Sequence, residues 1–127
     1  MSRELIRDLI LISLSAVIGS LSRYWIMRHC LRLFGSHLPV GTLLINLIGC
    51  LLIGFAYGKG AILPPWIGLA VITGFLGSFT TYSSFALDTW KLYLTDHPMQ
   101  SFLYVLMTLF GGLFAVWLGM SLAKLWR

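Results

Sequence analysis

The sequence predicts an all-α membrane protein in which four helices cross the bilayer. Of its 127 residues, 58% are hydrophobic and only 10% are charged, which differs strongly from the balance of a soluble domain. Residues 33–58, 60–87 and 97–123 contain no Asp, Glu, Lys or Arg, and about 20 apolar residues suffice to span a bilayer. Because an isolated strand cannot satisfy its backbone hydrogen bonds in lipid, we expect each apolar run to be helical.

Turn signals divide the chain into its four helices, and together these form a single transmembrane domain over residues 1–127. Arg3 and Arg7 precede the first apolar run, as they would in a cleaved signal peptide, but no small-residue cleavage motif ends that run. Glycines and prolines separate the first three runs, and Pro98 suits the start of the fourth helix. The predicted spans are about 5–28, 40–58, 66–92 and 99–123.

The charges exclude several classes of protein. The nine Lys and Arg residues lie singly at the ends of apolar runs, whereas a nucleic-acid-binding protein groups them into a basic stripe. A net charge of +5 on so apolar a chain also excludes intrinsic disorder. We therefore expect a lipid bilayer, and no nucleic acid, as the surroundings of this multi-pass protein of a cell inner or plasma membrane. Cys30 and Cys50 differ in predicted depth and are expected to be free thiols.

The basic residues specify the orientation of the chain only weakly. Four spans place both termini on one face of the membrane, with five basic residues there against three on the other face, or four if Arg23 is counted. Two interpretations stay open: one orientation set by a small bias, or insertion in both orientations, which an antiparallel dimer requires. The five are Arg3, Arg7, Lys59, Lys124 and Arg127, and the three are Arg28, Arg32 and Lys91.

The small size of the chain favours assembly if it transports anything. Four helices hardly enclose a conduction path, so a two-fold dimer is the simplest transporting unit. Gly54 and Gly58 form a GxxxG pair, and further glycines follow in the fourth span. Such small residues allow helices to approach closely, and the sequence leaves open whether they pack within one chain or between two.

Two polar residues lie where lipid disfavours them. Only 14 residues separate Asp8 from Arg23, so the first helix must continue past Arg23 and hold its guanidinium about a turn below the interface. It either snorkels to that interface or attracts anions to a cavity. Asn46 stands between apolar residues, where an unpaired amide costs several kcal/mol. It either bonds to another helix or donates into a wet, anion-accepting cavity.

The middle of the third span contains the strongest signal in the sequence. Six of the seven residues at 78–84 bear a hydroxyl group, and Gly74 and Gly77 lie just before them. A cluster of hydroxyl groups is unfavourable on a helix surface that faces lipid. We therefore predict a functional helix break there, at which freed carbonyl groups line a cavity or hold a cation.

The rest of the third span and the fourth span supply further candidates. Tyr82 and Phe85 are three residues apart and share a helix face, as do Tyr104 and Thr108, which are four apart. Asp88 is the one carboxylate at depth, and it is either a proton or cation site or the inner edge of a loop.

Three segments together resemble the Fluc (CrcB) family of fluoride channels, and the resemblance covers essentially the whole chain in order. The third segment is the specific one. The segments are residues 19–24 (GSLSRY), 41–49 (GTLLINLIG) and 74–85 (GFLGSFTTYSSF).

The resemblance implies a passive, fluoride-selective channel built as an antiparallel, dual-topology homodimer with two pores and one structural Na⁺ at its centre. It assigns Na⁺ binding to the backbone carbonyls of Gly77 and Thr80. Tyr82 stands where the family usually has Phe, which leaves open a dimer with a second, different chain. The residues that the resemblance places along the fluoride pathway are Arg23, Asn46, Thr81, Tyr82, Phe85, Tyr104 and Thr108.

Other functions remain as alternatives. A small dual-topology multidrug exporter has a similar length but needs a carboxylate within the first helix, and none lies between Asp8 and Arg23. An ion-coupled transporter is a second alternative, and a structural membrane adaptor a third, although an adaptor gives no reason for the hydroxyl cluster. We do not expect an enzyme, because the three histidines, His29, His37 and His97, show no metal or nucleophile spacing.

Overall fold

The computed structural model describes residues 2–60, 64–95 and 97–125. Within these ranges it has four helical spans long and apolar enough to cross a membrane, which confirms the predicted fold class. Arg127, one of the five basic residues on the terminal face, lies outside the described residues. The spans are α1, Arg3–Phe34; α2, Val40–Gly58; a third span, Pro65–Leu94; and a fourth helix, Pro98–Leu125.

The first helix, α1, is longer than the sequence suggested. Ser2 caps its start by accepting a hydrogen bond from the Leu5 N–H at 3.3 Å. It ends at Gly35, whose φ of 72° suits glycine and whose N–H bonds the Leu31 carbonyl at 3.0 Å. No glycine or proline interrupts residues 28–34, so the helix runs on past its basic residues. Arg23 therefore lies about three turns before the helix end.

The third span is broken near its middle, as predicted. Its first half, α3, joins Pro65–Gly68, a π-helical stretch over Leu69–Leu76 and a last turn over Gly77–Phe79. Thr80 and Thr81 are extended, with ψ angles of 160° and 112°. The second half, α4, runs over Tyr82–Leu94, and the fourth helix, Pro98–Leu125, is α5.

The second helix packs against α5 over the most extensive interface of the described elements. A Cβ atom at Gly54 would overlap the Val116 backbone, and one at Gly119 would overlap the Leu51 carbonyl. A Cβ at Gly58 would lie against that of Ala123. The GxxxG pair thus packs within the chain, which settles one use of these glycines that the sequence left open.

The first helix holds α3 by equally close contact. A Cβ at Gly19 would overlap the Phe75 carbonyl and the Ser78 hydroxyl. That hydroxyl bonds the Ala16 carbonyl of α1 at 2.9 Å as well as carbonyls of its own helix. Ser78 therefore fixes the end of α3 against α1, immediately before the break.

Candidate functional site

Asn46 and the helix break form one hydrogen-bonded unit. The Asn46 Oδ1 accepts a hydrogen bond from the Thr81 N–H at 2.9 Å, and its Nδ2 donates to the Thr81 carbonyl at 3.1 Å. Because both partners belong to one peptide segment, this pattern fixes which side of the amide carries the nitrogen. One N–H of Asn46 stays uncommitted among the described residues, so the cross-helix bond and a donor role are both compatible with the geometry.

The break takes helical donors away from two carbonyl groups. In an unbroken helix the N–H of Thr81 would bond the Gly77 carbonyl, but it bonds Asn46 instead. Likewise the N–H of Ser84 would bond the Thr80 carbonyl, but it bonds the Thr81 Oγ1 at 3.2 Å, which caps α4. The two carbonyls that the resemblance assigns to Na⁺ are thus among those that the break leaves without their helical donors.

The second helix and Arg23 both contact Thr80 at the break. A Cβ at Gly49 would overlap the Thr80 side-chain methyl, so only glycine lets α2 come this close. The Arg23 Nη1 donates a long hydrogen bond, 3.4 Å, to the Thr80 carbonyl. Arg23 therefore points inward from α1, and a purely snorkelling conformation is not what the structure shows.

A cleft of about 1160 Å³ opens above Arg23 between the ends of α1, α2 and α4. One of its walls is α1, both within the predicted span and in the part of the helix that extends beyond residue 28. Basic side chains outnumber acidic ones in it, which concentrates anions when the cleft is filled with water. The charged and titratable residues that line it are Arg23, Arg28, Asp88, Lys91, His37 and His97.

Asp88 lies in this cleft and is held by α2. The Thr42 hydroxyl, 2% exposed, donates to the Asp88 Oδ2 at 2.7 Å. The Tyr104 side chain is 3% exposed, and its hydroxyl has no hydrogen-bond partner among the described residues. A buried hydroxyl without a partner is costly, so this group is available to a water molecule or an ion.

Aromatic rings continue inward from the break. The Phe85 ring centroid lies 5.9 Å from that of Tyr82 and 5.5 Å from that of Tyr104, and both pairs are tilted. Tilted rings present their positive edges rather than only their negative faces. Tyr82 is 80% exposed, so its ring lies on the outer surface of the chain while Phe85 is half-buried.

Thr108 lies one turn beyond Tyr104 on α5. Its hydroxyl donates to the Tyr104 carbonyl at 2.8 Å, a bond within its own helix. The structure thus joins Arg23, Asn46 and Thr81 directly at the break, and Tyr82, Phe85 and Tyr104 through ring contacts. Thr108 joins them only through the backbone of Tyr104. The role of all seven in conduction stays a prediction.

Sequence reasoning missed Thr42. It precedes Asn46 by four residues and therefore lies on the same face of α2. The spacing of Thr42, Asn46 and Gly49 marks the face of α2 that meets the third span, and this i, i+4, i+7 pattern was the available signal.

Comparison with known proteins assigns the family. Residues 10–120 match the family model described as CrcB-like protein, Camphor Resistance (CrcB). The chain belongs to the CrcB family. Since its four spans are long and apolar enough to cross a membrane, this CrcB chain is a multi-pass protein of the bacterial inner membrane.

Several relatives of this chain are named fluoride-specific ion channel FluC. One from Pseudomonas fluorescens is 36% identical over 126 residues, which cover 94% of this chain and 98% of the relative. One from Azotobacter vinelandii is 38% identical, covering 90% and 94%. A third, from Synechococcus, is 40% identical and covers 91% of this chain and 92% of the relative.

Proposed function

We propose that this protein is a fluoride-selective channel that lets fluoride leave the cell passively, without a chemical step. The observation that supports this most directly is that polar groups gather at the break beside a basic cleft. Arg23, which lines the cleft, donates to the Thr80 carbonyl, Asn46 bonds the backbone of Thr81, and the rings of Phe85 and Tyr104 contact each other on the next helices. The name of the relatives supports fluoride as the ion.

The arrangement suits an ion that holds its water tightly. Several donors must replace the hydration shell at close range, and the uncommitted N–H of Asn46 and the hydroxyl of Tyr104 are two such donors. The ring edge of Phe85 adds a weak attraction for an anion. Conduction requires sites weak enough to release the ion, and a series of single neutral donors meets that requirement better than one charged pocket.

We propose further that two copies assemble as an antiparallel homodimer. Gly77 and Tyr82 are exposed on the surface of the single chain although they lie in the middle of a membrane span. Broken backbone is tolerated at that depth only when protein or a water-filled cavity covers it. A second copy of the chain supplies that cover, and the nearly equal basic counts on the two faces allow it to insert in the opposite orientation.

A structural Na⁺ at the two-fold axis fits the same residues. Two carbonyls from each copy, those of Gly77 and Thr80, supply about four hard oxygen ligands, which suit a hard cation. The described residues contain no group of three or more His, Cys, Asp or Glu able to hold a metal ion. A neutral carbonyl set favours monovalent Na⁺ over Ca²⁺, which usually recruits carboxylates.

Fluoride efflux from liposomes holding the purified protein tests this proposal. We expect fluoride efflux, measured with a fluoride electrode, and no comparable efflux of chloride. At zero membrane voltage an imposed Na⁺ gradient should not move fluoride uphill, because the proposed Na⁺ stays in place. Uphill movement would show an ion-coupled transporter, and efflux of both anions would remove the proposed selectivity.

The orientation is tested separately with a tag at the C-terminus. Dual topology predicts that the tag is labelled from both sides of the membrane in cells. Labelling from one side only would contradict the antiparallel homodimer. Coexpression with a second, different chain that restores activity would instead show a heterodimer.

A further inference from the structure

We infer that Asn46 and the Thr81 hydroxyl are positioning residues that create the central cation site by diverting the helical donors of its two carbonyl ligands. This inference rests on the structural Na⁺ of the proposed function. It assigns to Asn46 a role beyond that of a donor to the transported anion. The two roles use different atoms of one side chain.

The first step concerns the Gly77 carbonyl. Its helical donor is the Thr81 N–H, which is 2.9 Å from the Asn46 Oδ1. A carbonyl that already accepts a helical hydrogen bond is a weaker cation ligand, because its lone pair is shared with the proton. By taking up the Thr81 N–H, the Asn46 oxygen leaves the Gly77 carbonyl free to face a cation.

The second step concerns the Thr80 carbonyl. Its helical donor is the Ser84 N–H, which bonds the Thr81 Oγ1 at 3.2 Å. The same hydroxyl donates to the Ser84 Oγ at 3.0 Å. It is therefore fixed at the start of α4 by one hydrogen bond that it accepts and one that it donates. The Thr81 hydroxyl thus removes the helical donor from the Thr80 carbonyl, as the Asn46 oxygen does for Gly77. The Thr80 carbonyl also accepts the long hydrogen bond from Arg23 at 3.4 Å, which leaves its second lone pair for a cation.

The third step assigns cation binding and anion conduction to different atoms of the Asn46 side chain. The oxygen serves the break, while one N–H bonds the Thr81 carbonyl and the other is uncommitted among the described residues. A substitution that keeps the oxygen but alters the nitrogen should therefore spare the cation site and harm conduction. A substitution that removes both should harm both.

Four variants and one control test this separation. Asn46→Asp keeps an oxygen facing the Thr81 N–H in either protonation state, whereas the similarly sized Asn46→Leu has none. Thr81→Ser keeps the hydroxyl, whereas Thr81→Val removes it. Thr89→Val is the control, because the Thr89 hydroxyl bonds only the Phe85 carbonyl within α4 and its removal leaves the break untouched.

The measurement is the thermal unfolding temperature of the detergent-purified protein, followed by tryptophan fluorescence as NaCl replaces N-methylglucamine chloride at constant ionic strength. A ligand that binds only the folded state raises this temperature with a dependence on concentration that reports its affinity. We expect Asn46→Leu and Thr81→Val to need at least about tenfold more Na⁺, the equivalent of losing one good contact. Thr81→Ser and Thr89→Val should stay within about threefold of the unmodified protein. Asn46→Asp should need no more Na⁺ than the unmodified protein, because it keeps the oxygen and its charge attracts a cation.

The outcomes distinguish this inference from the proposed function. If the unmodified protein responds to Na⁺ and Asn46→Leu responds at the same concentrations, the positioning role is wrong while the cation site stands. If the unmodified protein shows no Na⁺-specific response, the structural cation is wrong and the inference falls with it, although fluoride efflux from the same preparation still decides the channel. If Asn46→Leu does not fold, the Na⁺ requirements of Thr81→Val and Thr81→Ser are compared instead, and equal requirements would show that the positioning role is wrong.

Discussion

The interface between α2 and α5 and the break between α3 and α4 are both places where backbone lies in close contact at membrane depth. The two regions accommodate that contact by different means. At the interface, Gly54 and Gly119 bring two helices into backbone contact, and both helices stay regular through the contact. At the break, Thr80 and Thr81 leave the helical conformation, and side chains from α1 and α2 bond their backbone.

The difference shows what irregular backbone requires at membrane depth. A regular helix needs only a complementary shape from its neighbour, which glycine provides. A broken helix needs partners for particular N–H and carbonyl groups, and these partners restrict the sequence far more narrowly. Substitutions should therefore affect folding at the interface and ion movement at the break.

The largest effect should come from filling the interface. In Gly119→Val the new side chain overlaps the Leu51 carbonyl on α2, and overpacking against backbone costs about 3 kcal/mol or more. We expect no folded, monodisperse protein on size-exclusion chromatography. Gly68→Ala is the matched control, since nothing lies within 4 Å of a Cβ at Gly68, and it should purify normally. A well-folded Gly119→Val protein would refute the close approach of α2 and α5.

The next effect should come from placing a negative charge at the break. Asn46→Asp puts a carboxylate beside the anion path, where a like charge at about 4 Å costs about 4 kcal/mol at intermediate dielectric. We expect fluoride efflux from liposomes to fall by about a thousandfold while the protein stays folded. Gln100→Glu makes the same change at the exposed rim of the cleft, where salt screens it, and should cost less than about threefold. Unchanged efflux in Asn46→Asp would make Asn46 purely structural.

A smaller loss should follow when the ring edge is removed. Phe85→Ile keeps an apolar side chain but ends the tilted contacts with Tyr82 and Tyr104. Such an anion–aromatic contact is worth about 1 kcal/mol, so efflux should fall by about fivefold to tenfold. Phe102→Ile, on an exposed part of α5, should leave efflux unchanged. Equal activity in both variants would remove the aromatic contribution.

The smallest effect is expected at Thr108. Its hydroxyl already bonds the Tyr104 carbonyl, so it reaches a passing ion mainly by giving up that bond. Thr108→Val should therefore lower efflux by about threefold or less, measured under the same liposome conditions, and Thr108→Ser should restore it. A loss above tenfold would place this hydroxyl in direct contact with fluoride.

Much of the architecture was predictable because a chain in lipid must satisfy its backbone hydrogen bonds internally, which permits few kinds of structure. Uncharged runs of sufficient length imply helices, and the hydroxyl cluster with two glycines implied a break near the middle of the third span, which lies at Thr80 and Thr81. The sequence indicated a first span of about 5–28 but not how far the helix continues beyond it. Lys and Arg have high helix propensity, and α1 ends only at Gly35.

The details of the site were less predictable because they depend on pairs distant in sequence. The sequence showed that Asn46 needs a partner but not that both partners belong to Thr81, 35 residues away. Likewise, Thr42 bonds Asp88 across 46 residues. Helical spacing predicts which residues share a face, whereas the register of one helix against another is set by packing that no local pattern contains.

The length of α1 has an electrical consequence. A helix of 32 residues is about 48 Å long, whereas the 19 residues of α2 cover only about 28 Å, close to the hydrocarbon thickness of a bilayer. The cleft beside the far part of α1 is therefore in contact with bulk electrolyte, which conducts and holds almost no voltage drop. The membrane potential, about 2.3 kcal/mol per unit charge at 100 mV, then falls across a path that is shorter by the depth of the cleft. An ion crossing there experiences a field steeper than the bilayer thickness alone would give.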